Sequence, residues 1–241
     1  MKEGGLMKQK KYIVWDWNGT LFDDIDVCMK SLNELLERYH LPLVDKTSYR
    51  NVFRFPVKDY YRDVGFDFDR TSFDILANQY MKRYIPLSMN CSLFQDVQET
   101  LAHFKQFGLK QYIISASRMD HLQSQLAQYD ILPYFEDILG LDNICAYSKV
   151  DVAVNWIQNQ HIHTDEVLFI GDSVHDSEVA KACGCECILI SRGHQSREKL
   201  EKTGCIVKDS ISQLWKEEFG LKLMKQDIFG KTKEFPDMKI E

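Results

Sequence analysis

The chain lacks any apolar run approaching the ~18 residues of a membrane span. It shows no internal repeat and no low-complexity stretch. It has no basic excess: 30 Lys and Arg face 36 Asp and Glu, a net charge of −6. That balance argues against the basic patch or stripe expected of a nucleic-acid footprint. Met1 to Lys11 is polar and basic without an apolar centre, unlike a secretory leader. Met7 is an alternative start. The cysteines number seven, an odd count with no leader, so reduced thiols in the cytoplasm are expected rather than a disulfide framework. Cys183-Gly184-Cys185-Glu186-Cys187 lacks the Cys-x2-Cys spacing of a zinc site and has no partner pair. It reads as a helix end, a glycine turn and the start of a strand, Cys187 to Ile190. What remains is ordinary for a globular protein, with 44% hydrophobic residues, enough for a sizeable core.

The most informative stretch is Tyr12-Ile13-Val14-Trp15-Asp16-Trp17-Asn18-Gly19-Thr20. A short apolar run bounded by turn residues reads as a buried strand. Asp16 therefore stands at the carboxyl end of a strand, where open α/β sheets bind ligands. A carboxylate there needs a cation or hydrogen-bond donors to offset its desolvation. Val167-Leu168-Phe169-Ile170 is a second such run, and Gly171-Asp172-Ser173-Val174-His175-Asp176 follows it. Two acidic turns at one sheet edge suit Mg2+, which takes one or two carboxylates and keeps waters that a phosphate displaces. Between them, Gln111 to Ser115 reads as a strand ending in a hydroxyl, and Lys149 opens an amphipathic segment running to about Gln160. A nucleophilic carboxylate, a hydroxyl, an ammonium and metal-binding acids are what phosphoryl transfer needs. Each has a plainer reading: Asp16 and Ser115 as helix caps, Lys149 as an exposed helix-start residue.

These four motifs, in this order, resemble the haloacid dehalogenase superfamily, within it the phosphoglycolate phosphatase-type branch. Asp16-Trp17-Asn18-Gly19-Thr20 is similar to its first motif, Asp-x-Asp-Gly-Thr, with one change. Ser115 matches the second, Lys149 the third, and Gly171-Asp172-Ser173-x-x-Asp176 the fourth. The resemblance spans roughly residues 11 to 218 and implies a Rossmann-like parallel α/β core with an inserted helical cap. Composition fits that division. Residues 24–92 show helical periodicity and no clear strand, first through Val27, Leu32, Leu35, Leu36 and Tyr39, then over about Thr71 to Tyr84 with Pro86 behind it. From Asp96 onward helices and strands alternate, as in a parallel sheet with crossover helices. The expected division is a core of 1–23 and 93–219, a cap of 24–92, and an extension of 220–241 of unclear period.

The resemblance further implies a Mg2+-dependent phosphatase acting on a small phosphorylated metabolite, away from membranes. Asp16 would attack a phosphate monoester and form an acyl phosphate. Mg2+ would be held by Asp16, Asp172, the backbone carbonyl of Asn18, and Asp176 directly or through water. Ser115 and Lys149 would hold phosphoryl oxygens, with backbone N–H groups of Gly19, Thr20 and Ala116 as further donors. Arg54 and Lys58, flanking Pro56, are the cap candidates for substrate contact; solvated surface charges are the alternative. Arg118 is a further candidate for a substrate anion, and His175 is expected beside the site rather than at the metal.

Asn18 is the departure. Phosphatases of this superfamily carry Asp there, which protonates the leaving oxygen and then activates water. Such help is worth about 10²–10⁴-fold, and an amide cannot titrate. Three outcomes stay open: slow turnover, a preference for good leaving groups such as acyl or aryl phosphates, or phosphoryl binding with little turnover. The last makes the chain a regulatory binding module. A related branch that cleaves carbon–phosphorus bonds also lacks this Asp and uses a cap lysine, for which Lys58 is the candidate.

Overall fold

The computed structural model describes residues 10–141 and 148–218. Cys145, Met1, Met7 and the expected extension 220–241 lie outside the described residues. Among the described residues no helix is long and apolar enough to cross a membrane.

The core is a six-stranded parallel sheet ordered β5-β4-β1-β6-β7-β8. Its strands are β1 (Tyr12–Trp15), β4 (Lys110–Arg118), β5 (Asp137–Leu141), β6 (Val167–Gly171), β7 (Glu186–Ile190) and β8 (Ile206–Lys208). β1 is central. Tyr12 and Trp15 register with Lys110 and Ile113 on one side and with Val167 and Ile170 on the other. Successive β1 side chains point to opposite faces, as strand geometry requires. Ile13 and Trp15 join a core with Leu101 and Phe104 of α5 (Val97–Gln106) and Leu122 of α6 (Met119–Leu126). Val14 joins the opposite core, with Trp156 of α7 (Lys149–Gln160) and Val179 of α8 (Val174–Ala182). Both faces are thus covered, which is why β1 and β6 read as unbroken apolar runs. The chain builds outward from β1 through β4 to β5, then crosses back to β6, β7 and β8. The carboxyl ends of β1, β4 and β6 therefore meet at the point where the order reverses.

Four helices lie between the first strand and the rest of the sheet: α1 (Ile25–Arg38), α2 (Lys46–Val52), α3 (Val57–Asp63) and α4 (Phe73–Ser88). They carry their own apolar core. Ile25, Cys28, Leu32, Leu35 and Leu36 form the buried face of α1, at the three- and four-residue spacing of one helix side. Asp45 caps α2 by accepting from the Ser48 backbone N–H at 2.7 Å, so the polar run that breaks the sequence pattern also starts a helix.

Three details differ from expectation. Residues 22–23 and 92–93 form a short antiparallel ribbon, β2 (Phe22–Asp23) with β3 (Ser92–Leu93). Both expected boundaries of the helical segment fall in this ribbon, and two-residue strands carry no periodicity to read. Pro86 lies inside the last turn of α4 rather than beyond it. Ser115 sits within β4, which continues to Arg118 through a register shift between Ile114 and Arg118.

Candidate active site

Asp16 follows β1 directly, and its backbone N–H bonds the carbonyl of Ile170 at 2.8 Å, tying the two strand ends together. Asp172 follows β6. Asp176 stands in the first turn of α8, where Ser173 and Asp176 cap each other. One Asp176 oxygen accepts from the Ser173 hydroxyl at 2.6 Å and from the N–H groups of Ser173 and Asp172 at 3.0 and 3.1 Å. Its other oxygen takes the Lys149 ammonium at 2.5 Å. Lys149 is the first residue of α7, started by a Ser148–Asp151 capping box, and it also donates to Asp16. A cation at a helix start is unfavourable beside the dipole. Here two buried carboxylates compensate it.

Carboxylate oxygens of Asp16, Asp172 and Asp176 lie within 4.8 Å of one another. Burial pushes Asp16 up to about 6 and Asp172 up to about 8. Burial also opposes ionisation of Asp176, but the Lys149 charge and hydrogen bond carry it below its usual value. Burial alone would lower Lys149; Asp16 and Asp176 outweigh it and hold the ammonium charged. Three buried carboxylates against one ammonium leave this spot short of positive charge. An all-oxygen donor set in that state fits a hard divalent cation such as Mg2+.

The turn around Asp172 is closely fitted. A Cβ on Gly19 would lie 2.3 Å from Asp172 Oδ2, and one on Gly193 only 2.1 Å from it. Gly19 also has φ +72°, where other residues are strained. Only residues without a side chain let the two loops close on this carboxylate.

Asn18 is held from three sides. Its amide nitrogen donates to Asp24 at 2.8 Å and to the Tyr84 hydroxyl at 2.9 Å, and its oxygen accepts from Ser117 at 2.7 Å. Asp24, almost wholly buried, also accepts from Tyr84 at 2.6 Å and from His194 at 3.2 Å. Burial works against charge on both partners. The pairing wins, holding Asp24 below its ordinary value and lifting His194 to about 9. His194 bonds the Tyr49 hydroxyl of α2 at 2.9 Å through its other ring nitrogen, and its backbone N–H donates to Asp172.

A cavity of about 270 Å3 opens over this arrangement. Asp16, Asn18, Ser115, Ala116, Lys149, Asp172 and Asp176 line its floor. The Ser115 hydroxyl accepts the Ser117 N–H at 3.1 Å. Thr20 is buried beside the floor, its hydroxyl 3.4 Å from Asp16. Arg118 lines the cavity but is paired with Asp120. His175 lines it too, stacked on Phe55 with ring centroids 4.6 Å apart. Two cap candidates lie elsewhere. Arg54 forks onto Asp63 at 2.6 and 3.2 Å and is not among the lining residues. Lys58 lies over the Phe68 ring, also away from the lining.

Sequence reasoning missed Asp24, His194, Tyr49 and Tyr84. A signal existed for His194: the apolar run of β7 ends in Ser191-Arg192-Gly193-His194, the same strand-then-turn pattern that singled out Asp16 and Asp172.

Comparison with known proteins places this geometry. The family described as haloacid dehalogenase-like hydrolase matches residues 13–190. A phosphoglycolate phosphatase of Vibrio parahaemolyticus is 25% identical over 230 residues, covering 85% of this chain and 94% of that protein. One from Vibrio vulnificus is 31% identical over 124 residues, 51% of this chain and 54% of that protein. The crystal structure of a predicted phosphatase from Clostridium acetobutylicum superposes with a TM-score of 0.75 at 21% identity, over 88% of this chain and 99% of that one. The chain belongs to the haloacid dehalogenase-like hydrolase family, on the side of it that includes the phosphoglycolate phosphatases.

Proposed function

We propose that this hydrolase is a Mg2+-dependent phosphatase that cleaves a small phosphate monoester through an aspartyl-phosphate on Asp16. The observation that carries the reading is the placement of Asp16. Its carboxylate is desolvated at the strand end, bound by Lys149, and grouped with two further acids on the floor of a cavity. An Asp16 oxygen would attack phosphorus as the ester P–O bond breaks, and water would then release phosphate from the acyl phosphate. Lys149 and Ser115 would hold the phosphoryl oxygens, with the backbone N–H of Ala116 as a further donor; those of Gly19 and Thr20, expected from the sequence to join them, are instead taken by the carbonyls of Phe22 and Trp17 at 2.9 and 3.3 Å. Asp16, Asp172 and the Asn18 carbonyl would hold Mg2+. Asp176, with both oxygens already engaged, would act through water. When bound, the ion supplies charge to offset that developing on the transferred group. Residues 24–92 would serve as a cap excluding water during transfer.

Asn18 favours a slow second step. It offers a fixed amide where family members carry a titrating carboxyl, so attack by water lacks a base there. Good leaving groups would pass the first step without protonation. The deciding experiment supplies an aryl phosphate with Mg2+ and follows intact mass by rapid quench. Turnover with a phosphoryl adduct on Asp16 is expected. Tight phosphate binding with neither turnover nor adduct would instead make the chain a phosphoryl-binding module.

A further inference from the structure

Resting on the phosphatase reading, we infer that the alcohol portion of the substrate is a single aromatic ring rather than a second anionic group. Much of the cavity lining comes from the helical segment, with Phe53, Phe55, Tyr60, Tyr61, Tyr80 and Tyr84 among it. These rings pack edge to face: Phe53 meets Phe55 with centroids 5.7 Å apart at 81°, and Tyr60 at 5.3 Å and 68°. Another ring entering such a wall finds further edge and face partners.

The basic side chains at the wall already have acidic neighbours. Arg118 is bound to Asp120, His194 to Asp24, Lys149 to Asp16 and Asp176, and His175 lies 3.2 Å from Glu178. His121 is 4.0 Å from Asp120. A substrate carrying a carboxylate beside its phosphate would have to draw Arg118 away from Asp120 or leave that charge desolvated without a partner, which is costly.

An independent mark is the Tyr60 hydroxyl. Tyr60 is 3% exposed, lines the cavity, and its oxygen is buried with no hydrogen-bond partner. Buried hydroxyls are almost always paired. A polar ring substituent on the substrate would satisfy this one. The cavity volume of about 270 Å3 sits just below the usual ligand-pocket range of roughly 300–1,000 Å3. It holds one ring and a phosphate.

The test separates ring recognition from leaving-group chemistry by using alkyl esters of similar leaving ability. Benzyl phosphate is compared with ethyl phosphate and with phosphoglycolate, all with Mg2+. The expectation is a kcat/KM for benzyl phosphate at least about tenfold above both, carried mainly by KM. Phe53→Ala should collapse that ratio. Tyr60→Phe should leave the melting temperature unchanged, since no hydrogen bond is lost, and raise KM for 4-hydroxybenzyl phosphate more than for benzyl phosphate. Calorimetric binding of benzylphosphonate against ethylphosphonate to the Mg2+-loaded protein provides a readout free of turnover and of the variants' folding. Tighter binding of the benzyl compound without hydrolysis of these esters or of an aryl phosphate would uphold the ring site and overturn the phosphatase reading. Brisk hydrolysis with phosphoglycolate or ethyl phosphate preferred would overturn the ring site and leave the phosphatase reading standing.

Discussion

The Asp24 carboxylate and the His194 imidazole lie 3.2 Å apart, with side-chain exposures of only 1% and 5%. They come from opposite ends of the chain and meet directly behind Asn18. Asp24 opens α1, and His194 follows β7. A buried pair of this kind is costly to break from one side, because the remaining charge has no water to turn to.

The first prediction concerns pH. His194 is lifted to about 9 in the folded protein, against about 6.5 when unfolded. The pairing therefore contributes its full stability below about pH 6.5, and that contribution is lost as pH rises through about 9. Its size is on the order of 3 kcal/mol. Thermal melts of wild type between pH 6 and 10 should fall more steeply than those of His194→Gln. Parallel curves would mean that the imidazole is neutral in the fold.

The second concerns the nucleophile. Asp16→Asn keeps shape and removes both the attacking charge and the carboxylate that Lys149 meets. Turnover should fall below detection, and circular dichroism should remain that of the folded protein. Residual wild-type rates on any ester would sink the covalent route.

The third concerns the metal. Burial raises Asp172 to about 8, above its unfolded value of about 3.9. Without a cation the protein should lose stability from about pH 4 to about pH 8, where the unfolded chain releases this proton and the fold retains it. Mg2+ should raise the melting temperature, more at pH 8 than at pH 5. In Asp172→Asn the shift should largely vanish, and chelator should abolish turnover in wild type.

The fourth concerns Asn18, whose amide donates to Asp24 at 2.8 Å. Asn18→Asp supplies the missing acid but sets two carboxylates in contact, and the pair would hold a proton between them. The single variant should lose several degrees of melting temperature and gain little rate. Asn18→Asp with Asp24→Asn should drain the phosphorylated enzyme faster than wild type in rapid quench. Equal rates for wild type, single and double variants would show that residue 18 does not limit turnover.

Much of this was legible in the sequence because the chemistry sits where local patterns change. Asp16 and Asp172 stand where apolar runs end, and Lys149 opens a helix whose cap is written in Ser148 and Asp151. The sheet was legible for the same reason: strands buried on both faces are short apolar blocks. The Asp24–His194 pair was not, since the partners are 170 residues apart and no spacing connects them. Arg54 shows the converse. Charge next to Pro56 suggested substrate contact, but Asp63, on the helix that follows, claims the guanidinium first. Tyr80 and Tyr84 fall in the helical stretch that periodicity marks out, but periodicity does not say that they also face a cavity.

The ribbon of Phe22–Asp23 with Ser92–Leu93 has a consequence for inheritance. The two ends of the helical insert stand side by side at one doorway, so its length is not written into the sheet. A different insert with adjoining ends would fit the same doorway and leave the strand ends undisturbed. Such a graft carries conditions. Asp24 and Tyr84 both belong to the insert and both grip Asn18, so a newcomer must bring replacements or free that amide. It must also replace the Tyr49 hydroxyl on His194 and the Phe55 ring on His175, further points at which the insert meets the strand-end loops.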